Sequence, residues 1–200
     1  MQLPPYRITW PTAAGQLVAI EPTLDEVAHH APTLAAAYND PRNAPLLGHT
    51  EAMSEDDVIA HYASVAQRGG RNFLILRDGA LAGDADLRNP SGGAAEFAFL
   101  VAEVSAQGRG LGTRMAIMLH AFAFAALGLE RVYASILPAN VASRRVFEKL
   151  GYAVDTSPAA RAFADEPGDI TMRVDRAAFE RTHAAQLAEI ELAPRYTGTR

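Results

Sequence analysis

The order of apolar patterns along this chain predicts an α/β fold of the layered α+β kind, with a mixed, mostly antiparallel central sheet flanked by helices. Three observations carry that prediction. Asp78-Gly79 stands between two apolar runs, the strongest short signal for a hairpin. Two helix patterns with clear start signals precede that hairpin. After residue 95, strand and helix patterns alternate, as parallel neighbours with helical crossovers require.

The elements follow in order. Residues 16–21, "QLVAIE", read as a first strand. Residues 23–40 read as a helix opened by Thr23 and Glu26, a capping-box pair. A loop, "PRNAPLLG", leads to a second helix beginning at Ser54, with acidic residues in its first turn and a Gly-Gly stop. Three antiparallel strands are expected at 72–77, 80–88 and 95–101, the last two joined through "NPSGG". A long helix over 109–127 is closed by Gly128, and its stripe Leu111, Met115, Met118, Leu119, Phe122 and Ala126 has core spacing. Then come a strand at 131–138, a helix at 140–151, a strand at 152–156, a polar loop at 157–169 and a strand at 170–174. A last helix is expected over 175–191, and the tail after it is expected to fray. No repeat or linker interrupts residues 1–200, so one domain is expected.

Composition narrows the function. The chain has no cysteine, which excludes disulfides, thiolate metal sites and a cysteine nucleophile. "MQLPPYRITWPT" lacks an apolar core of signal-peptide length, and no run reaches the ~18 apolar residues of a membrane span. A cytoplasmic protein without membrane partners is the expectation. The net charge of −5 argues against a nucleic-acid partner. Local arginines at 109, 114, 144 and 145 nevertheless suit a small anionic ligand. His29 and His30 are adjacent and cannot share a helix face, so no metal is expected there. His120 falls among Met118, Phe122 and Phe124 and reads as packed core, while His61 and His183 read as ordinary helix residues.

Residues 105–112, "SAQGRGLG", run straight into the long helix. The first N–H groups of a helix lack internal partners and, with the helix dipole, make an anion site. Glycines leave bare backbone for a phosphate to approach, and Arg109 and Arg114 can neutralise its charge. A dinucleotide fingerprint does not fit. Thr113 stands where its third glycine belongs, and Glu130 lies before the next strand, not at its end. A P-loop fails because no Gly-Lys-Ser/Thr follows.

With a second segment, the glycine run resembles the GNAT acetyltransferases. Gln107, Gly110 and Gly112 match their first motif. Asn140, Ser143, Leu150, Gly151 and Tyr152 match the Asn-x-x-Ser helix that ends in Leu-Gly-Phe/Tyr. The flanking "GDADLR" and "AEFAFLV" look like the branch that acetylates ribosomal-protein N-termini and small molecules. The resemblance spans roughly residues 16–155, with its specific motifs confined to 96–152.

The resemblance implies an acyl-CoA-dependent N-acyltransferase, with acetyl-CoA lying where the strands 95–101 and 131–137 splay apart. Backbone N–H groups of Gly108, Arg109, Gly110, Leu111 and Gly112 would hold the pyrophosphate, with Gln107 and Arg114 beside them. Backbone of Phe99, Leu100 and Val101 would pair with the pantetheine as an added strand. Asn140 and Ser143 would bond the same arm, although Asn140 is also a good helix cap. Glu96 would be the catalytic base. Phe147 departs from the family, because many relatives carry a tyrosine there as general acid and phenylalanine has no proton to give. Neither Tyr133 nor Tyr152 occupies that motif position. A non-catalytic CoA-binding module is therefore the alternative. The acceptor, a small-molecule amine or a protein N-terminus, is expected near 24–50 and 157–169, where Asp25, Glu26, Glu51, Asp165 and Glu166 supply negative charge. Phe179, Leu187 and Ile190 offer either a homodimer face or closure of the chain's own core.

Overall fold

The chain begins with a strand that the sequence reading passed over. In the computed structural model, which describes residues 3–48 and 51–196, Tyr6–Thr12 forms β1, with Ile8 and Trp10 turned inward at the two-residue period of a strand. It pairs antiparallel with β2 (Gly15–Ile20). Helix α1 (Leu24–Tyr38) starts at the expected capping box, Thr23 and Glu26 each bonding the other's backbone N–H. A short α2 (Ala44–Leu47) follows, and α3 (Glu55–Gln67) carries a second capping box from Ser54 and Asp57. The meander is β3 (Arg71–Arg77), β4 (Ala80–Ser91) and β5 (Ala94–Val101). Asp78 and Gly79, both at positive φ, make the tight turn that their sequence announces.

The remaining elements are α4 (Leu111–Ala125), β6 (Arg131–Ile136), α5 (Val141–Lys149), β7 (Ala153–Val154), α6 (Pro158–Arg161) and β8 (Ile170–Asp175). The expected last helix is broken. It divides into α7 (Arg176–Thr182) and α8 (Ala184–Leu187) at His183, and the chain then turns into β9 (Glu191–Pro194). Part of the tail expected to fray is thus an edge strand paired with β1. Arg195 ties its end to the Glu26 carboxylate and the Pro5 carbonyl. Residues 197–200 of that tail, and His49 and Thr50 of the expected acceptor segment, lie outside the described residues.

Among the described residues, nine strands form one sheet in the order β7-β8-β6-β5-β4-β3-β2-β1-β9, and there only β5 and β6 pair in parallel. Period-two alternation assigns its faces. Phe73, Ile75, Leu87 and Phe97 look toward α4, which is buried nearly all round and anchors the main core. On the other face Leu74 meets Val27, Leu34, Val58 and Tyr62 of α1 and α3. Asp84, Asp86 and Arg88 share this second face, because they alternate with Ala85 and Leu87 along β4. No helix among the described residues is long and apolar enough to cross a membrane.

Phe179 is fully buried against the chain's own core, its ring 5.0 Å from that of His120 and 5.4 Å from Phe124. Leu187 and Ile190, partly buried, pack on the same cluster, so these residues contribute to the chain's own core. His120 is as buried as expected. Burial lowers its pKa to about 4, and the neutral ring is bonded by the Ala116 carbonyl and the Tyr152 hydroxyl. Phe179→Ala should therefore cost about 3–5 kcal/mol in urea unfolding, the usual range for a fully buried aromatic. A loss under ~1 kcal/mol would show that the site collapses without it.

Candidate active site

Strand pairing between β5 and β6 stops early. Ala94, Ala95 and Glu96 face Arg131, Val132 and Tyr133, and no pair follows. Beyond that point the two strands diverge, leaving the β6-side backbone groups of Phe97–Val101 without a ladder partner. Two cavities open along this gap. Phe99, Leu100, Asn140, Ser143, Leu46 and Leu47 line both, so the cavities meet there.

The first cavity, about 380 Å³, is a groove running over the start of α4. Gln107, Gly108, Gly110 and Gly112 line it, together with Phe99, Leu100 and Val101. Gly110, at φ 82°, caps α4 without any side-chain bond, whereas α1, α3, α5 and α6 each have a capping side chain. The N–H groups of Leu111, Gly112 and Thr113 therefore have neither a helical partner nor a capping side chain. Gly112 has a second reason to be glycine: a Cβ there would come within 2.8 Å of the Phe99 ring. Its bare backbone is required by close packing of helix on sheet. The cations that line the groove are Arg42, Arg145 and Lys149. Arg109 and Arg114 lie outside it, the Arg114 guanidinium reaching the Arg109 carbonyl at 3.4 Å.

Two of the expected ligand-binding side chains already have structural work. The Gln107 amide donates to the Val101 carbonyl at 3.0 Å and to Asn43 at 3.2 Å, bracing the loop against β5. The Asn140 side chain accepts from the Ser143 N–H at 3.0 Å, which caps α5, and donates to the Leu46 carbonyl at 2.9 Å. Asn140 therefore pins α2 over the junction of the two cavities.

The second cavity, about 420 Å³, is a chamber on the α1/α3 face of the sheet. Its charge is opposite to that of the groove. Asp84 and Asp86 form its floor, and Asp165, Glu166 and Asp169 come from the loop before β8. That loop is held by Ser135, which accepts from the Asp165 N–H and donates to the Asp169 carboxylate. Tyr38 and His61 complete the wall. Of the acidic residues expected around the acceptor, Asp165 and Glu166 line the chamber. Asp25, Glu26 and Glu51 do not, and Glu26 is occupied by Arg195, which lowers its pKa to about 2.

Asp84 and Asp86 are 4% and 7% exposed. One oxygen of Asp84 accepts from the hydroxyls of Tyr38 and Tyr62 at 2.9 and 3.1 Å, and the other has no hydrogen-bond partner. Burial, aided by the nearby Asp86, pushes the Asp84 pKa up to about 6. Asp86 likewise keeps one oxygen without a hydrogen bond, with the Arg88 guanidinium 3.8 Å away as an ion pair. Buried carboxylate oxygens without donors call for a cationic N–H ligand.

Glu96, the expected base, lies on this face but beneath the floor. It is 1% exposed and does not line the chamber. Arg88 and Asn89 donate to its two oxygens at 2.7 and 3.1 Å, while burial raises its pKa. Its partner Arg88 also bonds Asp165, which lines the chamber. Phe147 is buried with its ring 5.9 Å from that of Phe99. Tyr152 is turned into the core, and the Tyr133 ring lies 4.4 Å from that of Phe163, so neither replaces the missing tyrosine.

Sequence reasoning missed Asp84, Asp86, Tyr38, Arg42 and Lys149. The alternation Asp84, Asp86, Arg88 within one strand was the available signal, since three charges on one sheet face need a reason to be there. Arg145 and Lys149, four apart on α5, share a helix face.

Comparison with known proteins identifies the family and the fold. The model of the acetyltransferase (GNAT) domain matches residues 23–153. RimJ of Mycobacterium smegmatis, solved in complex with CoA-disulfide, superposes with a TM-score of 0.71 at 17% identity, over 94% of this chain and 99% of that one. The aminoglycoside acetyltransferase AAC(6')-Ib in complex with coenzyme A gives 0.68 at 22% identity, over 84% and 99%. Ribosomal-protein-S5-alanine acetyltransferase from Vibrio fischeri gives 0.63 at 15%, over 86% and 98%. These likenesses are of fold. No curated protein sequence matches the chain. The family model covers well over half of the residues, and the chain belongs to the GNAT acetyltransferase family.

Proposed function

We propose that residues 1–200 act as one catalytic domain that transfers an acetyl group from acetyl-CoA to a cationic amine seated in the acidic chamber. One observation carries this reading: a groove with cations and an uncapped helix end meets a carboxylate-lined chamber at the gap between β5 and β6. The groove residues fit the donor. The N–H groups at Leu111–Thr113 and the cations Arg42, Arg145 and Lys149 suit its phosphates, and the free β5 edge at Phe99–Val101 suits the amides of its pantetheine arm. The thioester then emerges at the junction, facing an amine held by Asp84 and Asp86. Direct attack in a ternary complex needs no acyl-enzyme, in keeping with a chain that has no cysteine. Phe147 leaves the departing thiolate to collect its proton from the amine or from water. The acceptor, a small-molecule amine or a protein N-terminus, would carry further positive charge toward Asp165, Glu166 and Asp169.

The test is amine-dependent release of CoA, read with a thiol reagent that meets no protein thiol. The panel is spermidine, kanamycin and an Ala-Arg-Arg peptide, against their uncharged analogues. Turnover should favour the cationic members by at least tenfold. Saturable acetyl-CoA binding with no CoA release above the protein-free background would select the alternative of a non-catalytic CoA-binding module.

Asp84 also makes a prediction about stability. Its folded pKa of about 6 lies above the ordinary 3.8, so the native state holds the proton more tightly than the unfolded chain. Stability linked to this group is present below pH ~4 and lost as pH rises through ~6, a cost of about 3 kcal/mol at neutral pH. Asp84→Asn should therefore raise the urea-unfolding free energy at pH 8 by about 1–3 kcal/mol, leave it nearly unchanged at pH 4, and weaken the amine KM. A variant less stable than the native protein at pH 8 would contradict this.

A further inference from the structure

Direct attack requires an ammonium ion to lose its proton, and the structure offers a group for that step other than Glu96. Asp86 faces Ala98 across the β4–β5 ladder. Ala98 comes two residues after Glu96, the last β5 residue to pair with β6. The Asp86 carboxylate therefore lies one strand from the place where the thioester emerges. His61, from α3, stands over it with Nε2 3.1 Å from Oδ2 of Asp86. The side chain is 31% exposed and lines the chamber. When Nε2–H is donated to the carboxylate, the lone pair of the neutral ring is on Nδ1. That nitrogen has no hydrogen bond among the described residues. A carboxylate orienting an imidazole whose second nitrogen is free is the arrangement by which histidine bases are held in the right tautomer.

We propose that His61, oriented by Asp86, is the general base that deprotonates the acceptor amine, a role that rests on reading the chamber as the acceptor site. The ammonium ion passes one proton to Nδ1 of His61, which frees the nitrogen lone pair. That pair forms the C–N bond at the thioester carbonyl, whose π electrons move to oxygen. Collapse of the tetrahedral adduct restores the C=O and breaks the C–S bond. The CoA thiolate takes the second nitrogen proton, directly or through water, and His61 returns its own proton to water at the chamber mouth. Glu96 then fixes Arg88, which holds Asp86 and the Asp165 loop in place.

The experiment compares native protein, His61→Gln and His61→Ala at saturating acetyl-CoA, on whichever amine of the panel above the native protein turns over best. The expected result is a fall in kcat of ~10²–10⁴-fold for both variants. Amine KM should stay within about threefold, and free imidazole should restore His61→Ala at least tenfold. Acetyl-CoA affinity, measured by calorimetry, reports whether each variant is folded. Folded variants that keep kcat within about threefold, or a His61→Ala defect that imidazole does not relieve, would overturn the proposal and leave His61 as a structural partner of Asp86. If the native protein binds acetyl-CoA yet turns over no amine, the acceptor reading fails first and takes this assignment with it.

Discussion

Everything in the site depends on a ladder that is left unfinished. Three residues of β5 pair with β6, the next five have no strand pairing on that side, and among them the Val101 carbonyl is met by the Gln107 amide. In a sheet interior, unpaired N–H and C=O groups are costly, and proteins rarely leave them without a ligand or water. The divergence is maintained by packing on both faces. On one, Phe97, Phe99 and Phe147 form a ring cluster against α4 and α5. On the other, the Asp165–Asp169 loop is tied to Ser135 of β6 and to Arg88 of β4. The gap is thus part of a rigid scaffold and not a frayed edge.

Opposite charges sit at the two ends of that gap. The groove presents a helix end, two arginines and a lysine, while the chamber presents five carboxylates and a histidine. A net charge of −5 for the whole chain says nothing of this separation, which is a property of the fold. On the proposed function, this polarity would direct a polyanionic donor to one side and a cationic acceptor to the other. Its cost lies in the buried carboxylates, whose desolvation a bound ammonium ion would relieve. A stability deficit stored at the acceptor floor is what a binding site accepts and a pure structural core would not.

The cofactor side was more legible from sequence than the acceptor side. The glycine run, the Asn140 helix and their spacing are local patterns, and residues of both line one groove. Capping boxes at Thr23 and Ser54 and the Asp78-Gly79 turn were readable for the same reason, since each is complete within four residues. β1 was obscured by Pro4, Pro5 and Pro11, although Ile8 and Trp10 carry the two-residue period. β9 exists only because β1 offers it an edge, a long-range reason that no local pattern contains. The acceptor chamber is assembled from α1, α3, β4 and a loop some eighty residues later, and only the fold brings these together. Arg109 and Arg114 were read as phosphate partners by proximity in sequence, whereas helical phase places Arg145 and Lys149 in the groove.

On the proposed function, the pantetheine arm of acetyl-CoA completes the unpaired edge of β5. The deciding experiment is amide hydrogen exchange with and without saturating acetyl-CoA. Exchange in the Phe97–Val101 segment should slow markedly on binding, along with the Gly110–Thr113 helix start, while β4, already paired on both sides, should change little. Saturable acetyl-CoA binding with no added protection at Phe97–Val101 would contradict it, and would place the donor elsewhere than in the gap between β5 and β6.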